Sequence, residues 1–63
     1  MKTIRIVVID DHHLVRAGIL SLLADHEDMA VVGDTGFSDE AVQLVLDSQP
    51  DVVLLDIAMP GQT

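Results

Sequence analysis

Apolar positions fall into two rhythms along this chain of 63 residues. Ile4 to Ile9, Met29 to Val32 and Val52 to Leu55 are short continuous runs, rich in Ile and Val, with Arg5 the only charged residue among them. Such runs suit strands buried on both faces. Between them, apolar residues recur at spacings of three and four. Val15, Ile19, Leu22 and Leu23 mark one face of a helix from about His12 to Asp25, and Ala41, Leu44 and Val45 with Ser48 mark the face of a second. Asp10-Asp11 break the first run, and Gly33 is expected to end the second strand. Asp34 to Phe37 should form a loop and Ser38 an N-cap, with Asp39 and Glu40 in a first turn where the helix dipole favours negative charge. Gln49-Pro50 should stop the second helix, because the residue before proline avoids the α region. Gly18, inside the first helix, is unfavourable there by about 1 kcal/mol relative to alanine. Close packing against a strand is the expected reason for it.

The resulting order is β-α-β-α-β. Strands alternating with helices through short connections imply right-handed crossovers and a parallel sheet. There is no internal repeat, low-complexity segment or linker. The third strand is the last element, so its edge should lack a partner and part of both sheet faces should lack cover. The pattern therefore reads as a piece of a larger α/β domain. A domain of this size buries only about 60% of its unfolded surface. Without cysteine, neither a disulfide nor a thiolate metal site can compensate.

Charge narrows the range of partners. Eleven acidic residues face three basic ones, a net charge of -8. That balance argues against direct binding of nucleic acid or an anionic membrane, and favours cations or basic partners. No apolar run is long enough to span a bilayer, and Met1-Lys2-Thr3 opens no signal peptide, so a cytoplasmic protein is expected.

The placement of particular acids matters more than their number. Asp10 and Asp11 follow the first strand and Asp56 follows the third. If those strands are neighbours in a parallel sheet, the three carboxylates converge at its carboxyl end, where open α/β sheets bind ligands. Taken alone, an aspartate at a strand end is more often a turn former or helix cap, and Asp11 could simply cap the first helix. Three carboxylates together repel unless a cation sits among them. Few, hard oxygen ligands suit Mg2+ better than a softer metal.

At these residues the sequence resembles a known family. "VVIDDHHLVRAGILSLL" followed by "PDVVLLDIAMPG" is similar to the receiver domain of bacterial two-component response regulators. The acidic pair matches at Asp10-Asp11, the phosphoacceptor at Asp56 and the following Met-Pro-Gly at Met59-Pro60-Gly61. The wording around His12, Ala17 and Gly18 resembles the branch with a C-terminal helix-turn-helix (LuxR-type) output domain. The resemblance implies a flavodoxin-like fold with strand order 2-1-3 for the part present, and Asp56 taking a phosphoryl group from a sensor histidine kinase. It also implies Mg2+ held by Asp10, Asp11, Asp56 and the backbone carbonyl of Ala58. Residues 1–63 would be the N-terminal half of the receiver, without strands four and five, the switch hydroxyl, the paired lysine or the DNA-binding domain. Lys2 lies at the wrong end of the first strand to replace that lysine, Thr63 follows Asp56 too soon to be the switch residue, and Gln62-Thr63 stand where the family often carries Asp-Gly.

Other classes fit less well, and the chain is not expected to be an enzyme. A phosphohydrolase of the haloacid dehalogenase type needs an acid two residues after its nucleophile, and Ala58 is there. A nucleotide-binding domain needs a glycine-rich turn after the first strand, and Asp-Asp-His-His is there. A self-associating, functionally inactive fragment is a further alternative. The Val52–Leu55 edge would then pair copies into a homodimer or higher oligomer. His12 and His13 are expected on the surface of the first helical turn, His26 near that helix's end, Phe37 as a loop anchor and Met59 in packing.

Overall fold

The computed structural model describes residues 2–36 and 39–55. Its elements follow the expected order: β1 (Ile4–Ile9), α1 (His13–Ala24), β2 (Met29–Thr35), α2 (Asp39–Ser48) and β3 (Val52–Leu55). The three strands form one parallel sheet in the order β2-β1-β3. β1 is the central strand, which explains its unbroken apolar run. Ile6, Val7, Val8 and Ile9 are all buried. The chain moves from β1 to β2 on one side, then crosses back past β1 to β3. With right-handed crossovers this reversal puts α1 and α2 on opposite faces. Val7 and Ile9 pack with Ala41 of α2, joined by Val32, Leu44 and Val45, so the predicted face of α2 is the observed one.

Three local expectations need correction. β2 does not end at Gly33 but runs on to Thr35, through a register shift: Ile6 pairs with Val31 and Val7 with Gly33. Gly33 is where Leu44 presses on the strand, since a Cβ there would lie 2.6 Å from Leu44 Cδ1. Gly18, in contrast, packs against nothing: a Cβ there would meet no atom within 4 Å. The third correction concerns the inward face of α1. Val15 and Leu22 are exposed, at 48% and 69%, whereas Arg16, Ile19, Leu20 and Leu23 are the partly buried positions. That set also has helical spacing, rotated by about one residue from the predicted stripe.

α2 ends at Ser48 as expected, and Gln49 carries the chain out with φ 49 while its N–H donates to Val45 O at 3.0 Å. This is a left-handed helix terminus on a residue other than glycine. β3 is an edge strand among the described residues, and all four of its residues are exposed. Among the described residues no helix is long and apolar enough to cross a membrane.

Candidate functional site

β1 delivers Asp10 to the carboxyl end of the sheet, and the sheet itself holds it there. The Asp10 N–H donates to Thr35 O at 2.9 Å, which extends the β1–β2 ladder one residue past β1. The side chain is fully buried. Its Oδ1 accepts a 2.7 Å hydrogen bond from the His12 N–H, and the His12 ring Nδ1 lies 3.3 Å away. An aspartate that accepts from the backbone N–H two residues on closes a tight local turn. That turn reverses the chain from β1 into α1 and leaves Asp11 at its outer, exposed corner.

Asp11 does not cap α1. The N-cap residue is His12, which makes no side-chain capping bond. His12 and His13 are exposed, as expected, and Nδ1 of His13 lies 3.2 Å from Arg16 Nη2. His26 lies just beyond α1, in the turn that leads to Met29, whose N–H donates to His26 O at 3.3 Å. Ser38, the expected cap of α2, lies outside the described residues, as do Phe37, Met59 and Pro60-Gly61.

The β2 side of the site comes from Asp34, Thr35 and Gly36. A Cβ at Gly36 would lie 2.9 Å from Asp11 Oδ1, so the absent side chain makes room for that carboxylate, while Arg16 Nη1 would be in ordinary contact at 3.7 Å. Arg16 reaches the same point from α1. It donates from Nη1 to the Asp10 carbonyl at 2.9 Å, and its Nε lies 3.6 Å from Asp34 Oδ1. Sequence reasoning missed both Arg16 and Gly36. An arginine in an amphipathic helix reads as a surface residue until the helix's rotation is known. Gly36 carries no pattern of its own.

The third side comes from β3. Its register with β1 runs Ile6 to Val52, Val7 to Val53, Val8 to Leu54 and Ile9 to Leu55. The two strands reach the same end of the sheet in step, and the gap between them is the point where strand order reverses. Asp56 and Ala58, the other two expected site residues, lie outside the described residues. Among the described residues no group of three or more His, Asp or Glu side chains is placed to hold a metal. The donors that are described, Asp10 and Asp11, are carboxylates. Hard oxygens of this kind fit Mg2+ and fit a thiophilic metal poorly.

Comparison with known proteins agrees with this geometry. A family described as "Response regulator receiver domain" matches residues 6–63. The chain is 47% identical over 58 residues to response regulator GacA of Pseudomonas aeruginosa, covering 92% of this chain and 27% of that protein. It is 40% identical over 58 residues to transcriptional regulatory protein LiaR of Bacillus subtilis, covering 92% and 28%. Response regulator UvrY of Escherichia coli is 43% identical over 58 residues, again covering 92% and 27%. The chain thus spans little more than a quarter of the length of these curated relatives. Among solved structures, the signal receiver domain of the putative response regulator NarL from Mycobacterium tuberculosis superposes with a TM-score of 0.84 at 39% identity. That match covers 98% of this chain and 50% of that one.

Proposed function

The chain belongs to the response regulator receiver domain family, and from that premise we propose that Asp56 accepts a phosphoryl group from a sensor histidine kinase. One observation carries this reading: the in-step parallel register that pairs Ile9 with Leu55. Asp10 and Asp11 follow Ile9 in the sequence, and Asp56 follows Leu55. The three carboxylates are therefore assigned to one end of two adjacent strands, at the switch point of the sheet.

The residues divide the work. An Asp56 carboxylate oxygen attacks phosphorus, so a P–O bond forms as the P–N bond of the donor phosphohistidine breaks. The imidazole leaves, and Asp56 becomes an aspartyl phosphate. Asp10 and Asp11, with Asp56 and the backbone carbonyl of Ala58, are assigned to Mg2+. When bound, Mg2+ offsets charge on the transferring phosphoryl group. Burial of Asp10 and its bond from the His12 N–H keep that carboxylate in one place, so little reorganisation is needed as charge develops.

Residues 1–63 are read as the N-terminal half of the receiver of a cytoplasmic transcription regulator, with DNA bound by another domain. The net charge of -8 on this chain fits that division, since it opposes a phosphate backbone. The test is Asp56→Asn in the intact protein, treated with acetyl phosphate and Mg2+ and followed by mass. Wild type is expected to gain one phosphoryl group and the variant none. Equal uptake by both would overturn the assignment of Asp56.

A further inference from the structure

Arg16 occupies a position that the apolar stripe of α1 would give to a hydrophobic residue. It begins the partly buried set Arg16, Ile19, Leu20 and Leu23, and its side chain is only 16% exposed. An arginine in such a place must satisfy its donors locally. Arg16 does so at the carboxyl end of the sheet, through the Asp10 carbonyl at 2.9 Å and the His13 ring at 3.2 Å, with the Asp34 carboxylate 3.6 Å away as an ion-pair partner. The first contact is to the backbone of a residue assigned to the cation, the ion pair to the strand beside it. Gly36 leaves the space in which the Asp11 carboxylate sits beside the guanidinium.

We propose that Arg16 is a positioning residue for the cation site, clamping the Asp10-Asp11 turn between α1 and the end of β2. The inference rests on the functional reading above. The Asp10 backbone is gripped from two sides: its N–H donates to Thr35 of β2 and its carbonyl accepts from Arg16 of α1. With the peptide groups on either side of the Asp10 Cα both held, the Asp10 carboxylate and the neighbouring Asp11 start from defined places. Without Arg16, the hold on the Asp10 carbonyl from α1 is lost.

Arg16 could act on a cation in two opposed ways. Its positive charge repels Mg2+, whereas its clamp prepares the ligands for Mg2+. That repulsion is screened near the surface, and the adjacent Asp34 carboxylate offsets much of it. Loss of an outer partner that orients metal ligands lowers affinity by about 10- to 100-fold. Positioning and repulsion shift the affinity in opposite directions, so the sign of the change distinguishes the two. Arg16→Lys keeps the charge but loses the planar fork that spans Asp10 and Asp34. Arg16→Met keeps the apolar stem and loses the charge.

The experiment is an Mg2+ titration of the intact protein and both variants, read from amide shifts of residues 10–12. Exchange of the His12 amide without Mg2+ and thermal unfolding are measured alongside. Both variants are expected to bind Mg2+ about 10-fold more weakly or worse, with faster exchange at His12. Arg16→Lys is expected to remain folded. Unchanged affinity in both variants, or tighter binding by Arg16→Met, overturns the positioning role while the functional reading stands. A wild-type protein with no response to Mg2+ at these residues overturns the functional reading and this inference together.

Discussion

A methyl group added at Gly18 would meet open space, whereas one added at Gly33 would run into Leu44. The two glycines therefore have opposite consequences. Gly18→Ala gains helix propensity without any steric cost, and about 1 kcal/mol of stabilisation is expected. Gly33→Ala places a Cβ 2.6 Å from Leu44 Cδ1, in the cluster formed by Val7, Ile9 and Ala41. Overpacking there should cost about 1–3 kcal/mol. Leu44→Ala removes the colliding atoms, so Gly33→Ala should cost far less in that background. Chemical denaturation of the wild type, the two single variants and the double variant measures the coupling in a double-mutant cycle. Additive effects would show that Leu44 can move aside freely. Gly36 obeys the same logic at the site, where its neighbour is a carboxylate rather than a methyl group. Only the structure separates these three residues, since each is simply a glycine in the sequence.

Elements were legible in proportion to how little their assignment depended on rotation or register. β1 and β3 were readable at both ends because a continuous Ile/Val run has no face to misjudge. The inward face of α2 was readable from the spacing of Ala41, Leu44 and Val45, although Val42 and Leu46 of the same helix are exposed. α1 was not, because Leu14, Val15, Ile19, Leu20, Leu22 and Leu23 crowd a helix of 12 residues with apolar groups on several sides. Two stripes of helical spacing were available, and only packing chose between them. That choice also hid Arg16, so part of the candidate site was lost with it. Asp10 and Asp11 were legible for the opposite reason, as strand ends need no angular assignment.

The junction of α2 and β3 shows a further device at this scale. Asp51 Oδ2 accepts from the Arg5 N–H at 3.0 Å, the Asp51 N–H donates to Arg5 O at 2.8 Å, and Arg5 Nη2 donates to Ser48 O at 2.6 Å. These bonds set the β1–β3 register at its amino end, and that register positions the opposite end. Asp51→Ala is expected to cost about 0.5–1.5 kcal/mol and to speed exchange at the Arg5 amide. Asp51→Asn retains an acceptor and should recover most of the loss. If Asp51→Ala leaves exchange at Arg5 unchanged, the carboxylate does not hold the register.

At the scale of the whole molecule, β3 is the more exposed of the two edge strands among the described residues. β1 is sealed between its neighbours, but β3 presents four exposed apolar residues, with Leu55 at 52%. Beside it, a hollow of about 200 Å³ is lined by Val8, Ile9, Asp10, Ile19, Leu54 and Leu55. In the chain of 63 residues, an apolar edge of this kind should pair with a second copy. Charge opposes the pairing. Two bodies of charge -8 repel by on the order of 10 kcal/mol at ~25 Å in unscreened water, and by less than ~1 kcal/mol at about 0.15 M salt. Association of the chain of 63 residues should therefore strengthen with salt, the reverse of an assembly held by ion pairs. Sedimentation at micromolar concentration should show monomer in dilute buffer and dimer or larger species in physiological salt. Leu54→Lys puts a charge beside both the edge and the hollow, and should keep the chain monomeric throughout. A monomeric wild-type chain at every salt concentration would show that the β3 edge does not pair copies, and a salt-weakened dimer would point to a polar interface elsewhere.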